Sequence, residues 1–354
     1  MRALVVVGWG RPVEFAEVRE PVPAPDECLV RVEAVLLGSG DLAFSHRFDH
    51  RPDGASFVFP HVPGFLGSGV VESTTAGGPA VGTRVAINGA VGCGDCSRCD
   101  SGAENLCASQ YLRGLSPGHP GSAAELAAVP ARQLHPLPDS LSFADSLLAA
   151  DAALLIHACG RGRLALGDSL AVVGAGRIGT MAIAVARAAG AAPIVAIDPS
   201  AESRAAAIRA GASAVLDPAG MSTVDLAAAA GAACGASPDV VLETVGKAAT
   251  IEGALAVGRA GARTILLGLR GSVRAAPAYY ADVITKENEL ITTFGKTNDD
   301  FRAAVALLAS QQIRVDGLPV RTFDWPEALE AWQASMDGPG ARHAISVSAN
   351  GARV

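Results

Sequence analysis

Two groups of residues in this chain have the type and spacing to do chemistry. The first is Cys93-x2-Cys96-x2-Cys99-x7-Cys107. Four thiolates this close can converge on zinc as a closed tetrahedral site, structural because no position is left for water. Cys28, Cys159 and Cys234 stand alone. In a reducing compartment such a cluster reads as a metal site rather than a disulfide framework. One structural zinc per chain is therefore expected, on Cys93, Cys96, Cys99 and Cys107.

The second group is Gly174-Ala175-Gly176-Arg177-Ile178-Gly179, a G-x-G-x-x-G. Alone the pattern is weak. Here it follows the apolar run Ser169–Val173, opens a helical segment, and is followed by Asp198 at the end of the next apolar run. That is the dinucleotide-binding arrangement. Gly174 permits the tight turn, Gly176 lets backbone approach a pyrophosphate, and Gly179 lets helix and strand pack closely. Arg177 and Ile178 begin the helix, whose free N–H groups face the phosphates. Asp198 can accept hydrogen bonds from the adenosine ribose and would repel a 2′-phosphate, so NAD is expected in preference to NADP. Arg204, a helical turn into the next helix, softens that preference. Val245 and Gly268, each just beyond a later apolar strand, complete the expected cofactor contacts.

These groups must be positioned by two kinds of fold. To about residue 150 the chain reads as short strands broken by Gly and Pro, such as Cys28–Val35, Gly69–Glu72 and Gly82–Ile87. Beyond it, apolar strands alternate with helices. The strands are Ser169–Val173, Pro193–Ile197, Ala214–Leu216, Asp239–Glu243 and Arg263–Leu267. The helices include Ile178–Ala189 and Glu202–Ala210. This predicts a doubly wound α/β parallel sheet covered on both faces. After residue 296 two helices, Asp299–Ser310 and Trp325–Met336, and a strand, His343–Val347, are expected to return to the first domain. The expected domains are 1–150, 151–295 and 296–354.

Composition excludes several classes. The net charge is −7 and no run of Lys or Arg offers a nucleic-acid face. Only Lys247, Lys286 and Lys296 are lysines; the other basic residues are arginines. No stretch reaches about 18 uninterrupted apolar residues, so no membrane span is expected. The apolar run at the N-terminus is too short for a signal peptide and reads as a first strand, which makes the cytoplasm the expected location.

The cysteine cluster, the downstream glycine fingerprint and their order resemble the zinc-containing alcohol dehydrogenases of the medium-chain dehydrogenase/reductase superfamily. Gly121-Ser122-Ala123-Ala124-Glu125-Leu126 resembles that family's Gly-x-x-Ala-Glu-Tyr segment, and Pro63-Gly64 with Gly67–Val71 its Gly-His-Glu region. The resemblance covers essentially the whole chain. It implies a β-rich GroES-like catalytic domain completed by the C-terminus, a Rossmann domain, a cleft between them, a small-molecule substrate, and a homodimer or homotetramer.

The departures carry most of the functional reading. The family's first catalytic ligand, a Cys, is matched by Gly38 in Gly38-Ser39-Gly40-Asp41. Gly40 takes the place of the Thr or Ser that starts its proton relay. Its Gly-His-Glu becomes Gly64-Phe65-Leu66, and its third ligand falls near Ala150, beside Asp151. Gly and Phe cannot bind zinc, and one carboxylate cannot hold it alone. His46, His50 and His61 lie in the same early stretch and are the residues from which a rebuilt site would come.

Zinc in this family polarises a carbonyl as a Lewis acid. Without it the first expectation is a reductase that passes hydride from NADH to an activated double bond, a conjugated carbonyl or an iminium. The second is an alcohol or polyol dehydrogenase in which a side-chain acid–base replaces the metal. Asp41, His46, His61, Tyr111 and Asp151 are its candidates, Asp41 first by position, with Ser39 near the nicotinamide. The third is a non-catalytic NAD-binding protein.

Overall fold

Strict alternation organises the first part of the chain. In Glu27–Leu36 the side chains of Cys28, Val30, Val32 and Ala34 are buried while Arg31 faces solvent, the two-residue period of a sheet with one covered face. The computed structural model describes residues 1–42, 57–75, 77–268, 283–314, 317–337 and 342–347.

Among these residues the strands up to residue 140 are β1 (Arg2–Val6), β2 (Val13–Glu17), β3 (Glu27–Leu36), β4 (Leu66–Ser73), β5 (Arg84–Ile87), β6 (Ala90–Val91), β7 (Tyr111–Leu112), β8 (Leu126–Pro130) and β9 (Leu134–Pro136). Then come β10 (Leu170–Val173), β11 (Ile194–Ile197), β12 (Ala214–Leu216), β13 (Val240–Glu243), β14 (Arg263–Leu266), β15 (Glu289–Thr292), β16 (Val320–Asp324) and β17 (Arg342–Ser346). The helices are α1 (Ser39–Leu42), α2 (Ser97–Asp100), α3 (Phe143–Ser146), α4 (Ala149–Arg161), α5 (Arg177–Ala188), α6 (Ala201–Ala210), α7 (Thr223–Cys234), α8 (Ala248–Val257), α9 (Asn298–Ala309) and α10 (Ala328–Asp337).

The chain divides into two units. One comprises Met1–Ala150, Lys296–Ala309 and Pro319–Val354; the other comprises Asp151–Gly295 and Ser310–Leu318. In the first, a seven-stranded sheet runs β16-β17-β3-β4-β5-β9, with β8 also on β3. The long β3 serves two partners along its length, β8 at Glu27–Arg31 and β17 at Ala34–Leu36. Val30, Val71, Ile87, Val129, Phe323, Trp325 and Ile345 fill the core beneath it.

The second unit is a six-stranded parallel sheet in the order β12-β11-β10-β13-β14-β15. With β10 first in sequence, this is the 3-2-1-4-5-6 order of the Rossmann fold, whose switch point lies between β10 and β13. β10, β11 and β13 are buried at every position, as strands covered on both faces must be. Helix ends carry their own signals. Ser200 and Ser222 cap α6 and α7, and Gly211 and Gly235 close them in the left-handed conformation.

Two details differ from the sequence expectation. Ser310–Leu318 groups with the parallel-sheet unit rather than with the rest of the C-terminal segment. Gly317 approaches α6 so closely that a Cβ there would lie 2.8 Å from the Arg209 carbonyl oxygen. The helical stretch Phe143–Arg161 is long and apolar enough to cross a membrane by length and composition, yet 61% of its most apolar window is buried inside the protein. Asp145, Asp151, His157 and Arg161 interrupt it, which is the pattern of a core helix.

His135 in β9 is 5% exposed, and its Nε2 lies 3.2 Å from Asn298 Oδ1. Burial pushes it down to about 4, against the upward pull of that hydrogen bond. The unfolded chain takes up this proton near pH 6.5, so the stability is whole above pH 6.5 and is lost as pH falls from there towards 4. At pH 5 the loss should be about 2 kcal/mol. Comparing urea midpoints at pH 7 and pH 5 should show a markedly smaller drop in His135→Gln than in the wild type; equal drops would assign the acid sensitivity elsewhere.

Candidate active site

The four clustered cysteines converge. Their Sγ atoms are separated by 3.5 Å (Cys93–Cys107), 3.8 Å (Cys96–Cys107) and 3.9 Å (Cys93–Cys99), and all four lie within 4.8 Å of one another. Zn–S bonds of about 2.3 Å set tetrahedral S···S edges of about 3.8 Å. The thiols are thus spaced for a metal and too far apart for disulfides. The Cys93 N–H donates to Cys107 Sγ at 3.4 Å. The Cys99 backbone N–H, followed by the Cys93 thiol, pulls Cys96 down to about 7. The donor set fits one zinc ion.

The glycine loop is equally specific. Gly174 has φ +90°, and a Cβ there would meet Val245 Cγ2 at 2.4 Å. A Cβ on Gly179 would lie 1.9 Å from the Gly174 carbonyl oxygen, so only glycine lets α5 pack this close to β10. Gly268 backs onto Val245 and Gly246, where a Cβ would come within 2.1 Å of the Gly246 nitrogen. Gly176 differs: a Cβ there would meet nothing within 4 Å. It leaves open space in front of the N-terminus of α5, where a phosphate can reach the backbone.

Asp198 is tied to that loop. Its Oδ2 accepts from the Ala175 N–H at 2.8 Å and its Oδ1 from the Ser200 N–H at 2.8 Å. Each carboxylate oxygen keeps a second lone-pair site for a ribose hydroxyl. Arg204 is anchored on the Asp198 and Pro199 carbonyls at 2.8 and 2.9 Å and on Asp217 at 2.9 Å. The Arg177 side chain is also engaged, by both carboxylate oxygens of Asp151 at 2.9 and 2.8 Å. The expected acid–base part for Asp151 is corrected: its carboxylate is a structural counter-ion to Arg177.

In the other unit one side chain gathers the segments that matter. Asp41 is fully buried. Its Oδ2 accepts from the Gly38 N–H at 3.0 Å, and its Oδ1 from the Gly64 and Phe65 N–H groups at 2.8 and 3.2 Å. Burial pushes its pKa up while these N–H groups pull it down. Asp41 was the first candidate for an acid–base group. The structure corrects this, because it is shut away from solvent and its oxygens are committed to backbone. It braces the Gly38 and Gly64–Phe65 segments against each other.

Residues 24–139 match the alcohol dehydrogenase GroES-like domain and residues 178–310 the zinc-binding dehydrogenase domain. The chain is 30% identical over 336 residues to a sorbitol dehydrogenase of Macaca fascicularis, covering 93% of this chain and 91% of that protein. It is 28% identical over 334 residues to a probable D-xylulose reductase A of Neosartorya fischeri, covering 92% of each. An alcohol dehydrogenase from Thermus sp. ATN1 superposes with a TM-score of 0.88 at 28% identity, covering 98% of this chain and 100% of that one. The chain belongs to the zinc-containing alcohol dehydrogenase family. It is an NAD(P)-dependent oxidoreductase of the medium-chain class.

Gly38 and Phe65 are the residues that the Asp41 brace draws together; the resemblance read from the sequence matches them to a Cys and a His of the family motifs. A Cβ on Gly40 would lie 2.6 Å from Leu115 Cδ1, so Leu115 packs against the backbone there. Ser39 opens α1. His61 is buried, with Nε2 3.0 Å from the Gly114 carbonyl oxygen and its ring edge-on to Phe57. That makes it a packing residue. Tyr111 stacks on His119 with centroids 3.6 Å apart. His46 and His50 lie outside the described residues. Among the described residues, the cysteine cluster is the one group of three or more His, Cys, Asp or Glu spaced for a metal.

Two residues escaped the sequence reading. Glu243, at the end of β13, is buried and holds the Val245 and Gly246 N–H groups and the Thr250 hydroxyl on Oε1, while Oε2 has no partner. It shapes the turn that carries Val245. Lys296 is 7% exposed, and its Nζ sits 4.8 Å from the centroid of the Phe65 ring. Its signal was compositional: in a chain with only three lysines, this one is retained beside the Phe65 segment.

Asp41→Ala should lower the free energy of unfolding by about 3–5 kcal/mol, because it orphans three buried N–H donors. Asp41→Asn should cost about 1–2 kcal/mol, since its amide oxygen can keep Gly64 and Phe65 while its NH2 faces the Gly38 N–H. Urea denaturation measures both. Equal, small losses would refute the bracing role.

Proposed function

We propose that this protein is an NAD-linked dehydrogenase of the alcohol or polyol class that works without a catalytic zinc. The double-bond reduction expected first from the sequence gains no support from the relatives, which are named as sorbitol dehydrogenases and a xylulose reductase. Their likeness over more than nine-tenths of the chain supports the alcohol–carbonyl class instead. The metal-free part of the reading is carried by one observation. The Asp41 carboxylate holds Gly38 and Phe65 together at the two ligand positions, and neither residue has an atom that can grip a metal.

The residues fit NAD. Gly174, Gly176 and the start of α5 would cradle the pyrophosphate and Asp198 would accept from the adenosine ribose, while Arg204 is held on carbonyls and Asp217. When bound, the nicotinamide would accept a hydride as NAD or donate one as NADH. Phe65, Leu66 and Leu115 keep the neighbourhood of the lost metal position apolar. Polar interactions there are stronger for that dryness.

Purified protein should reduce NAD with polyols such as sorbitol or xylitol, and oxidise NADH with the matching ketoses, both followed by NADH absorbance. Turnover with enals alone would restore the double-bond reading. Absence of turnover with polyols, ketoses and enals, despite NADH binding, would leave a non-catalytic binding protein. Asp198→Ala should weaken NAD binding about tenfold by removing a charged acceptor, and should narrow the margin over NADP. Unchanged affinity for both would remove Asp198 from the site.

A further inference from the structure

A second carboxylate stands next to Asp198. Strands β11 and β12 run parallel with Ile197 level with Leu216, and the Asp198 N–H donates to the Leu216 carbonyl oxygen at 3.1 Å. Asp198 and Asp217 therefore leave neighbouring strand ends side by side, the strands lying about 4.8 Å apart. Arg204 bridges the two residues. Its Nη1 donates to the Asp198 and Pro199 carbonyl oxygens at 2.8 and 2.9 Å and lies 2.9 Å from Asp217 Oδ2. The first turn of α6 sets that direction, because the Arg204 N–H donates to the carbonyl oxygen of the capping Ser200 at 3.0 Å. Asp217 is positioned in its turn by Oδ1, which accepts from the Ala219 N–H at 3.0 Å.

All three Arg204 contacts fall on Nη1. A guanidinium has five N–H donors, so Nε and Nη2 remain for another acceptor. A planar fork of this kind suits a phosphate monoester, and NADP differs from NAD by one such group on the adenosine ribose. The local charges oppose that use. Asp198 and Asp217 set two carboxylates against one guanidinium, and a 2′-phosphate would add nearly two further negative charges. Arg204 has the donors to hold that phosphate, but its charge is already offset.

We propose that Asp217 is a second determinant of the preference for NAD, acting by offsetting the charge of the guanidinium beside Asp198. This rests on the reading of Asp198 as the ribose acceptor. The two carboxylates exclude a 2′-phosphate in different ways. Asp198 repels it directly, whereas Asp217 removes the attraction that Arg204 would otherwise exert. Changing Asp198 alone leaves Arg204 neutralised, so it narrows the margin without reversing it.

The test is calorimetric binding of NAD and NADP to the full chain. Asp217→Asn keeps Oδ1 for the Ala219 N–H and loses the charge. It should tighten NADP about fivefold and change NAD affinity by less than about twofold. Adding Arg204→Gln should abolish that gain, and Arg204→Gln alone should change NADP affinity by less than about twofold. Unchanged NADP affinity in Asp217→Asn overturns the role of Asp217, as does an equal gain for NAD. A gain that survives without Arg204 also overturns it, since Asp217 would then act by repulsion alone. A clear loss of NADP affinity in Arg204→Gln alone overturns it as well, because the guanidinium would already be serving the phosphate. Wild-type protein that binds NADP as tightly as NAD overturns instead the reading of Asp198 beneath the proposal.

Discussion

The chemistry of the first unit depends on one buried carboxylate. Asp41 collects N–H groups from Gly38, Gly64 and Phe65 and so welds together two segments 23 residues apart in sequence. A carboxylate this deep is tolerable only because three donors point at it. The consequence is economical. The brace is built by backbone amides and stands independently of the side chains at the positions it joins, which on the proposed reading are two ligand positions of the family.

Once the phenyl ring occupies its position, its neighbours are constrained in turn. Gly89 must lack a side chain to admit it, Asn88 beside that glycine reaches Asn298, and Lys296 is carried over the ring as a result. Phe65 thus belongs to a packed set running from Asp41 to the start of α9. The cofactor unit shows no such departure. Its glycine loop, Asp198 and the crossover between β10 and β13 are the parts that binding a dinucleotide demands.

Much of this was legible in the sequence. The parallel sheet announced itself through wholly apolar runs at 170–173, 194–197 and 240–242, because strands covered on both faces have no polar side to blur the signal. The cysteine spacing and the glycine loop are local motifs whose chemistry is written in a few consecutive residues. What could not be read is whatever needs long-range contacts. Asp41 and Asp151 looked like free acids because nothing local reveals that backbone amides or Arg177 saturate them. Lys296 lies more than 200 positions from Phe65, and no periodicity joins them. Glu243 read as the end of a strand, and only the folded turn shows its three partners.

The central claim is that this fold handles hydride chemistry with a single, structural metal. Zinc analysis of dialysed protein, alongside a Cys93→Ser, Cys96→Ser double variant, tests it most directly. The account predicts about one zinc per wild-type chain and essentially none in the variant. Two zinc ions per wild-type chain, or one retained when the cysteine cluster is broken, would contradict it.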